Sequence, residues 1–535
     1  MAKSSFFIIF SFALLFGQTP TLKNLKDYPR SLAKDFYIWH HLQKNISSKQ
    51  ADTLLSQANR VNGKLYKAYV KKSGNKLLKK TLRCFKLNSK QLLKEKDSQC
   101  MTLGLSPYKA ALLRPLQRRK LWKKLKTTSA DTVRWLKSMN SRQSIESTFD
   151  KNPEDLLMLF RRSGISFRMT HYNKKLSQAF IKKLSRLPSF DYFVETVAID
   201  DRLITLRKSL SSFVVDEKVT THARFYLGLI KVKQKKELLA LEDFKHVALN
   251  DFFQMNRDKA LFWSYLLTKE AHYLDTLYRS TDLNIYTIYA AEALNKPYIG
   301  SYEPLFSNKQ KTAYDETNPF TWTNLLEKDK KMTPVQACEE LERYNNTKTQ
   351  ALYAFYLEKC GKYAIHPFVT PYLKILGKTK GSTKALFYAI GRQESRLIAG
   401  GISSVFAMGM MQIMPFLSKA IAKQKRERLF LPDMFKPKKN IRFAKYHLKN
   451  LKRRLKHPLF IAYAYNGGRG YLRRQFKKGL FSKSRSPYEP FLSMESLSYP
   501  ETREYGKKVL ANYIVYSDLF KNPTSLTRLL RTLIK

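Results

Sequence analysis

The chain is poor in residues that interrupt helices. Its 535 residues include 19 Gly and 20 Pro. Sandwiches and barrels built of many short strands need frequent Gly- and Pro-marked turns. Helices joined by short connections are therefore expected. Acidic residues are scarce too: 42 Asp and Glu stand against 99 Lys and Arg, a formal net charge of +57. A balance of that size predicts attraction to a polyanion. Nucleic acid is not expected as the partner, because no helix-turn-helix signature, zinc-finger spacing or aromatic RNA-binding motif is present. The basic residues are also spread along the whole chain. Attraction to an acidic polymer and plain solvation of helix faces by Lys both remain open. Only four Cys occur. None stands in a CxxC pair or beside a His, so no metal and no other cofactor is expected. Beyond the first seventeen residues no apolar run reaches the ~20 residues that span a bilayer.

Residues 1–17 read as a secretory signal peptide. Lys3 supplies the positive start, and Phe6 to Phe16 form an apolar run too short to cross a membrane. No Cys follows at once, so a lipid anchor is not expected. The expected location is the periplasm. Export makes the cysteines interpretable. An even count in an exported protein suggests disulfides, with Cys84–Cys100 and Cys338–Cys360 the pairs close in sequence. Free buried thiols are the alternative.

From about residue 28 to 300 one helical pattern follows another, with helices expected near 31–44, 105–126, 130–139, 153–163, 174–186, 222–238, 258–268 and 283–295. No fixed-period repeat is present. Helical hairpins stacked as a solenoid fit, since each must bury its apolar stripe on a neighbour. Composition shifts over 300–328, where Gly300, Pro304, Asn308, Asn318 and Pro319 fall. The expected division is a signal peptide at 1–17, a superhelical domain at 18–300, a small helical linker domain at 301–366 and a C-terminal α domain at 367–535. The expected fold class is mainly α.

One carboxylate stands out. Ser382 or Thr383 is able to cap a helix whose apolar face includes Leu386, Ile390 and Leu397. Glu394 lies four positions after Ile390, on that face or at its edge. Partial desolvation there favours the protonated form. An acid protonated near neutral pH is able to protonate a leaving group. The plain alternative is an edge carboxylate paired with Arg392 or Arg396.

RQES at 392–395, the run ending in MQ at Gln412, AYNGG at 464–468 and PETREY at 500–505 occur in that order. Together with NIRFAKYHLKNL at 440–451 they resemble the catalytic domain of the soluble lytic transglycosylases, over roughly 370–520. The resemblance implies a goose-type-lysozyme-like α domain at the C-terminus. It implies cleavage of the MurNAc–GlcNAc bond of peptidoglycan glycan strands, with Glu394 as acid and then base and 1,6-anhydro-MurNAc ends as product. It further implies substrate contacts from Ser403, Gln412, Met414, Tyr465, Asn466 and Glu501, with Tyr465 and Asn466 facing Glu394. Local readings compete at two of these: Ser403 is able to bond its own loop, and Glu501 to pair with Arg503. Asn440 is read as a helix cap. The sequence departs from the family at Phe406, usually Gly, and at Ser404 and Arg469, both often Pro. A lysozyme-like hydrolase and a noncatalytic wall-binding scaffold are the alternative functions.

Overall fold

A computed structural model describes residues 19–298, 300–308 and 314–534. The expected signal peptide lies outside the described residues. Among the described residues the regular structure is almost wholly helical, with one two-residue parallel strand pair, Ser301–Tyr302 on His366–Pro367. Among the described residues no helix is long and apolar enough to cross a membrane.

The chain forms two compact units. One holds Asn75–Leu277 and Glu495–Ser498; the other holds the rest, from the N-terminal residues to Gly74, Tyr278–Met494 and Tyr499 onward. This grouping differs from the linear division at residue 300. The residues before Gly74 pack with the C-terminal part because they carry a dense aromatic face. Phe36, Tyr37 and Trp39 of the Leu32–His41 helix are buried there.

Within Asn75–Leu277, consecutive helices lie on one another. Thr221–Lys233 packs on Glu237–Asn250, which packs on Gln254–Thr268. Gly228 allows the first of these contacts: a Cβ there would meet Phe244 Cε1 at 2.6 Å. The expected helix over 105–126 is instead two, Pro107–Ala111 and Pro115–Leu125. Pro115 lacks an N–H and suits the first turn of a new helix. The Cys84–Cys100 disulfide ties Lys76–Lys86 to Ser98–Gly104.

In the other unit the strand pair pinches the ends of the 303–365 segment. The Cys338–Cys360 disulfide there joins Pro334–Leu341 to Gln350–Cys360. The core of the C-terminal region is the Pro500–Leu519 helix, which packs along Gly381–Ser395 on one side and Pro458–Gly467 on the other. Gly506 sets that closeness, since a Cβ on it would lie 2.0 Å from Tyr463 Cε1. These three helices define the floor and walls of the site.

Candidate active site

The Gly381–Ser395 helix begins after Lys380, and neither Ser382 nor Thr383 caps it as the sequence suggested. Thr383 instead accepts a hydrogen bond from Lys452 Nζ. Ala385 to Gly391 are buried in an unbroken run. The helix ends at Arg396, which turns the chain in the left-handed region at φ 52°. Glu394 therefore sits in the last turn, half-buried, at the wall of a cavity of about 900 Å3.

The two arginines beside it do not pair with it. Arg392 Nη2 and Arg396 Nε each donate to Glu358, at 2.7 and 2.6 Å, and Arg392 Nη1 donates to Asn512 at 3.0 Å. Glu358 thus absorbs both cations that the sequence offered to Glu394. What reaches Glu394 is the Tyr505 phenol, which donates to Oε1 at 2.7 Å. Burial pushes the Glu394 carboxyl up to about 7, the Tyr505 bond pulls it down, and the charge of Glu501 pushes it up again. Desolvation outweighs the Tyr505 bond, so the carboxyl holds its proton to a much higher pH than an exposed one does.

All six expected contact residues line the same cavity: Ser403, Gln412, Met414, Tyr465, Asn466 and Glu501. Tyr465 lies near enough to Glu394 to feel its charge, and its hydroxyl donates to Met411 O at 2.7 Å. Asn466 Nδ2 donates to Glu501 Oε1 at 2.9 Å, while its Oδ1 accepts from Thr502 at 2.5 Å. Glu501 is thus engaged by Asn466 rather than by Arg503. The Asn466 amide is held with its donor toward Glu501 and its acceptor toward the buried Thr502. Burial, with the nearby Glu394 charge, raises both phenols, so Tyr465 and Tyr505 stay protonated.

Ser403 and Gln412 bracket an irregular loop. Ser403 Oγ accepts from Ala407 N at 2.9 Å, as the local reading had it. Gln412 Nε2 donates to Gly401 O and Gly409 O at 3.0 and 2.8 Å. Asn440 is not a cap. It lies inside the Pro437–Leu455 helix, fully buried, and its side chain serves Met411 N, Met408 O and Met434 O. Gly409 lets it approach, at φ 74° and with no room for a Cβ within 2.3 Å of Asn440 Nδ2. Phe406, where the resemblance leads one to expect Gly, also has a positive φ of 64°. A bulky residue there costs about 1–3 kcal/mol unless its surroundings compensate. Its ring is fully buried.

Tyr505 and His447 are among the cavity residues that sequence reading missed. Tyr505 ends the PETREY motif, one helical turn after Glu501, so period 3.6 already placed both on one face. His447 lines the cavity with its ring 5.3 Å from Tyr465; burial and the Arg469 charge push it down to about 4, so it is neutral. No spacing signal singles it out. Asp433 and Glu427, the acids next after Glu394, are engaged elsewhere, by Lys436 and by Arg442 and Lys439.

Residues 371–485 match the family described as the transglycosylase SLT domain. Among curated proteins none matches the chain. Among solved structures, an inactive mutant of the lytic transglycosylase Slt from Pseudomonas aeruginosa is 14% identical, with 92% of this chain and 82% of that one covered and a TM-score of 0.45. The 70 kDa soluble lytic transglycosylase Slt70 from Escherichia coli is 17% identical, with 94% and 87% covered and a TM-score of 0.44. The family match encloses Glu394, Ser403, Gln412, Met414, Tyr465 and Asn466, while Glu501 and Tyr505 follow it. Residues 371–485 are a transglycosylase SLT domain.

Proposed function

We propose that the cavity cleaves the MurNAc–GlcNAc β-1,4 bond of peptidoglycan without water, with Glu394 as the single acid and base. The observation that carries this reading is the Glu394 carboxyl, pushed up to about 7 by burial, on the wall of a 900 Å3 cavity inside an SLT domain. Tyr505 occupies Oε1 as a donor. The acidic proton then belongs on Oε2, free to pass to the glycosidic oxygen. Bond breaking leaves positive charge at C1 of MurNAc, which the substrate's 2-acetamido group stabilises. The ionised Glu394 then takes the proton of the C6 hydroxyl, and that oxygen closes on C1. The product carries a 1,6-anhydro end, and Glu394 is reprotonated. An internal nucleophile brings a large effective molarity, so no protein nucleophile is required.

The other cavity residues have roles that follow from their bonds. Ser403 accepts from its own loop and keeps its hydrogen to donate to an acetamido oxygen. Asn466, oriented by Thr502 and Glu501, and neutral His447 offer polar atoms along the glycan path. Met414 supplies an apolar, adaptable contact. The resemblance assigns Glu501, held by Asn466, to the side of the groove toward the stem peptide. Two disulfides and the N-terminal apolar run of the sequence support a periplasmic location.

The rival reading is hydrolysis, in which a second carboxylate activates water. Glu501 and Glu504 also line the cavity and are its candidates. Digestion of purified sacculi in heavy-oxygen water separates the two. Unlabelled anhydro ends are expected, and label at C1 of most products overturns the nonhydrolytic route.

A further inference from the structure

The loop between Ser403 and Gln412 is held from the far end of the chain. Phe406 lies with its ring centroid 5.4 Å from Trp39 and 6.0 Å from Phe36, and Phe36 in turn packs 5.5 Å from Phe435. The two residues before it are tied by polar bonds. Asn62 Nδ2 donates to Ser404 O at 2.8 Å, and Lys64 Nζ donates to Val405 O at 2.6 Å. Asn62 and Lys64 are themselves fixed. Buried Asp35 accepts from Asn59 N and Arg60 N at 2.7 and 3.0 Å, which sets the turn just before them. Asn62 Oδ1 accepts from Lys64 N and Leu65 N at 2.9 and 2.8 Å, capping the Gly63–Lys72 helix. Three successive loop residues, 404 to 406, are thus engaged by residues 36–64.

The cavity takes the other side of the same loop. Ser403, Val405 and Ala407 line it, while the 404 and 405 carbonyls and the Phe406 ring are turned to the N-terminal segment. The loop has no regular structure beyond isolated bridges of Met408 to Ile402 and Ile413. A left-handed Phe requires an outside anchor, and a buried aromatic contact supplies one. We propose that residues 31–72 are a brace that positions the substrate-contacting loop, with Phe406 as its anchor and Asn62 and Lys64 as its polar ties. These are positioning residues: they act through Ser403 and Gln412. The inference rests on the reading that this cavity binds glycan.

The test uses the full-length protein with Asn62→Asp and Lys64→Met combined. Asp keeps the oxygen that caps the helix and turns the donor to Ser404 O into a charged acceptor, which breaks the tie. Lost ties of this kind are expected to raise KM for solubilised glycan strands about three- to tenfold, with kcat changed less than about twofold. Amide hydrogen exchange over 403–409 is expected to accelerate in the substrate-free variant, with 381–395 unchanged. Lys64→Arg, which keeps a donor, is expected to restore slow exchange. Unchanged exchange over 403–409 overturns the brace, whatever the activity. Faster exchange with unchanged KM also overturns it, since the loop then does not position substrate. A wild type that cleaves no glycan strikes at the functional reading alone, because the exchange experiment does not depend on turnover.

Discussion

The phenol of Tyr505 donates a 2.7 Å hydrogen bond to Oε1 of Glu394, across 111 residues of sequence. The bond favours the carboxylate, whereas burial favours the acid, and burial is the larger influence. Removing the phenol therefore moves the balance further toward the acid. Tyr505→Phe is expected to shift the alkaline limb of the rate–pH profile upward by about one pH unit, the worth of a hydrogen bond to a charged group. The rate at neutral pH falls, because the carboxyl loses the contact that orients it. A limb that stays in place in the Phe variant refutes the coupling.

Glu358 predicts the opposite shift. It is buried and neutralises Arg392 and Arg396, which flank Glu394 in the same helix turn. Glu358→Gln leaves two guanidinium groups without their anion. Losing one partner of a buried ion pair costs about 3 kcal/mol. The unpaired cations also favour an ionised Glu394, so the alkaline limb moves downward. Thermal unfolding checks the first effect and the rate–pH profile the second. A Gln variant with an unchanged profile shows that the clamp is structural only.

The disulfide behind that clamp adds a third expectation. Cys360 lies two residues after Glu358, bonded to Cys338 across 22 residues of chain. Closing such a loop contributes roughly 3 kcal/mol in the chain-entropy model. Cys338→Ala with Cys360→Ala is therefore expected to lower stability by about that amount. It also loosens the end of the helix that presents Glu358. The alkaline limb in this variant is expected to move in the same direction as in Glu358→Gln, though less. Nonreducing peptide mapping of the wild type confirms the starting pairing.

Much of the site was legible because its residues come from short, local words. RQES, MQ, AYN and PETREY each place their side chains by helix or turn geometry within a few residues. Period 3.6 put Glu394 on the buried edge of its helix. What stayed hidden is the pairing between words. Nothing in the sequence tells whether Arg392 meets Glu394 or Glu358, since the choice depends on where the Gln350–Cys360 helix lands. Tyr465 and Tyr505 are equally plausible neighbours for the acid by composition, and only the packing of Pro500–Leu519 against Gly381–Ser395 decides it. Asn440 looked like a cap because Asn usually is one; its three buried partners come from a loop about thirty residues earlier and from Met434. Phe406 was visible as an oddity, but its reason lay in Phe36 and Trp39, roughly 370 positions away.

Glu394→Gln gives the most direct test of the reading, through activity and stability together. Gln keeps shape and hydrogen bonding yet neither gives nor takes a proton. General acid–base assistance is worth about 10²–10⁴-fold for one transfer, and one group here serves two steps. The loss in kcat is therefore expected near the top of that range, and a variant retaining more than about a tenth of the rate removes Glu394 from the mechanism. The stability effect has a definite sign. In the folded protein the carboxyl holds its proton up to about 7, against 4.5 as its ordinary value. Between those values the folded state binds more proton than the unfolded one, so wild-type stability is full below pH 4.5 and is lost as pH rises through about 7. Gln has no such cost. The variant is expected to match the wild type at pH 4 and to exceed it at pH 8, by at most ~3 kcal/mol and less where cavity water screens the charge. Thermal unfolding across that range measures the difference. A wild type that gains on the variant as pH rises shows that Glu394 is a stabilised carboxylate, and a stabilised carboxylate is not the acid this chemistry requires.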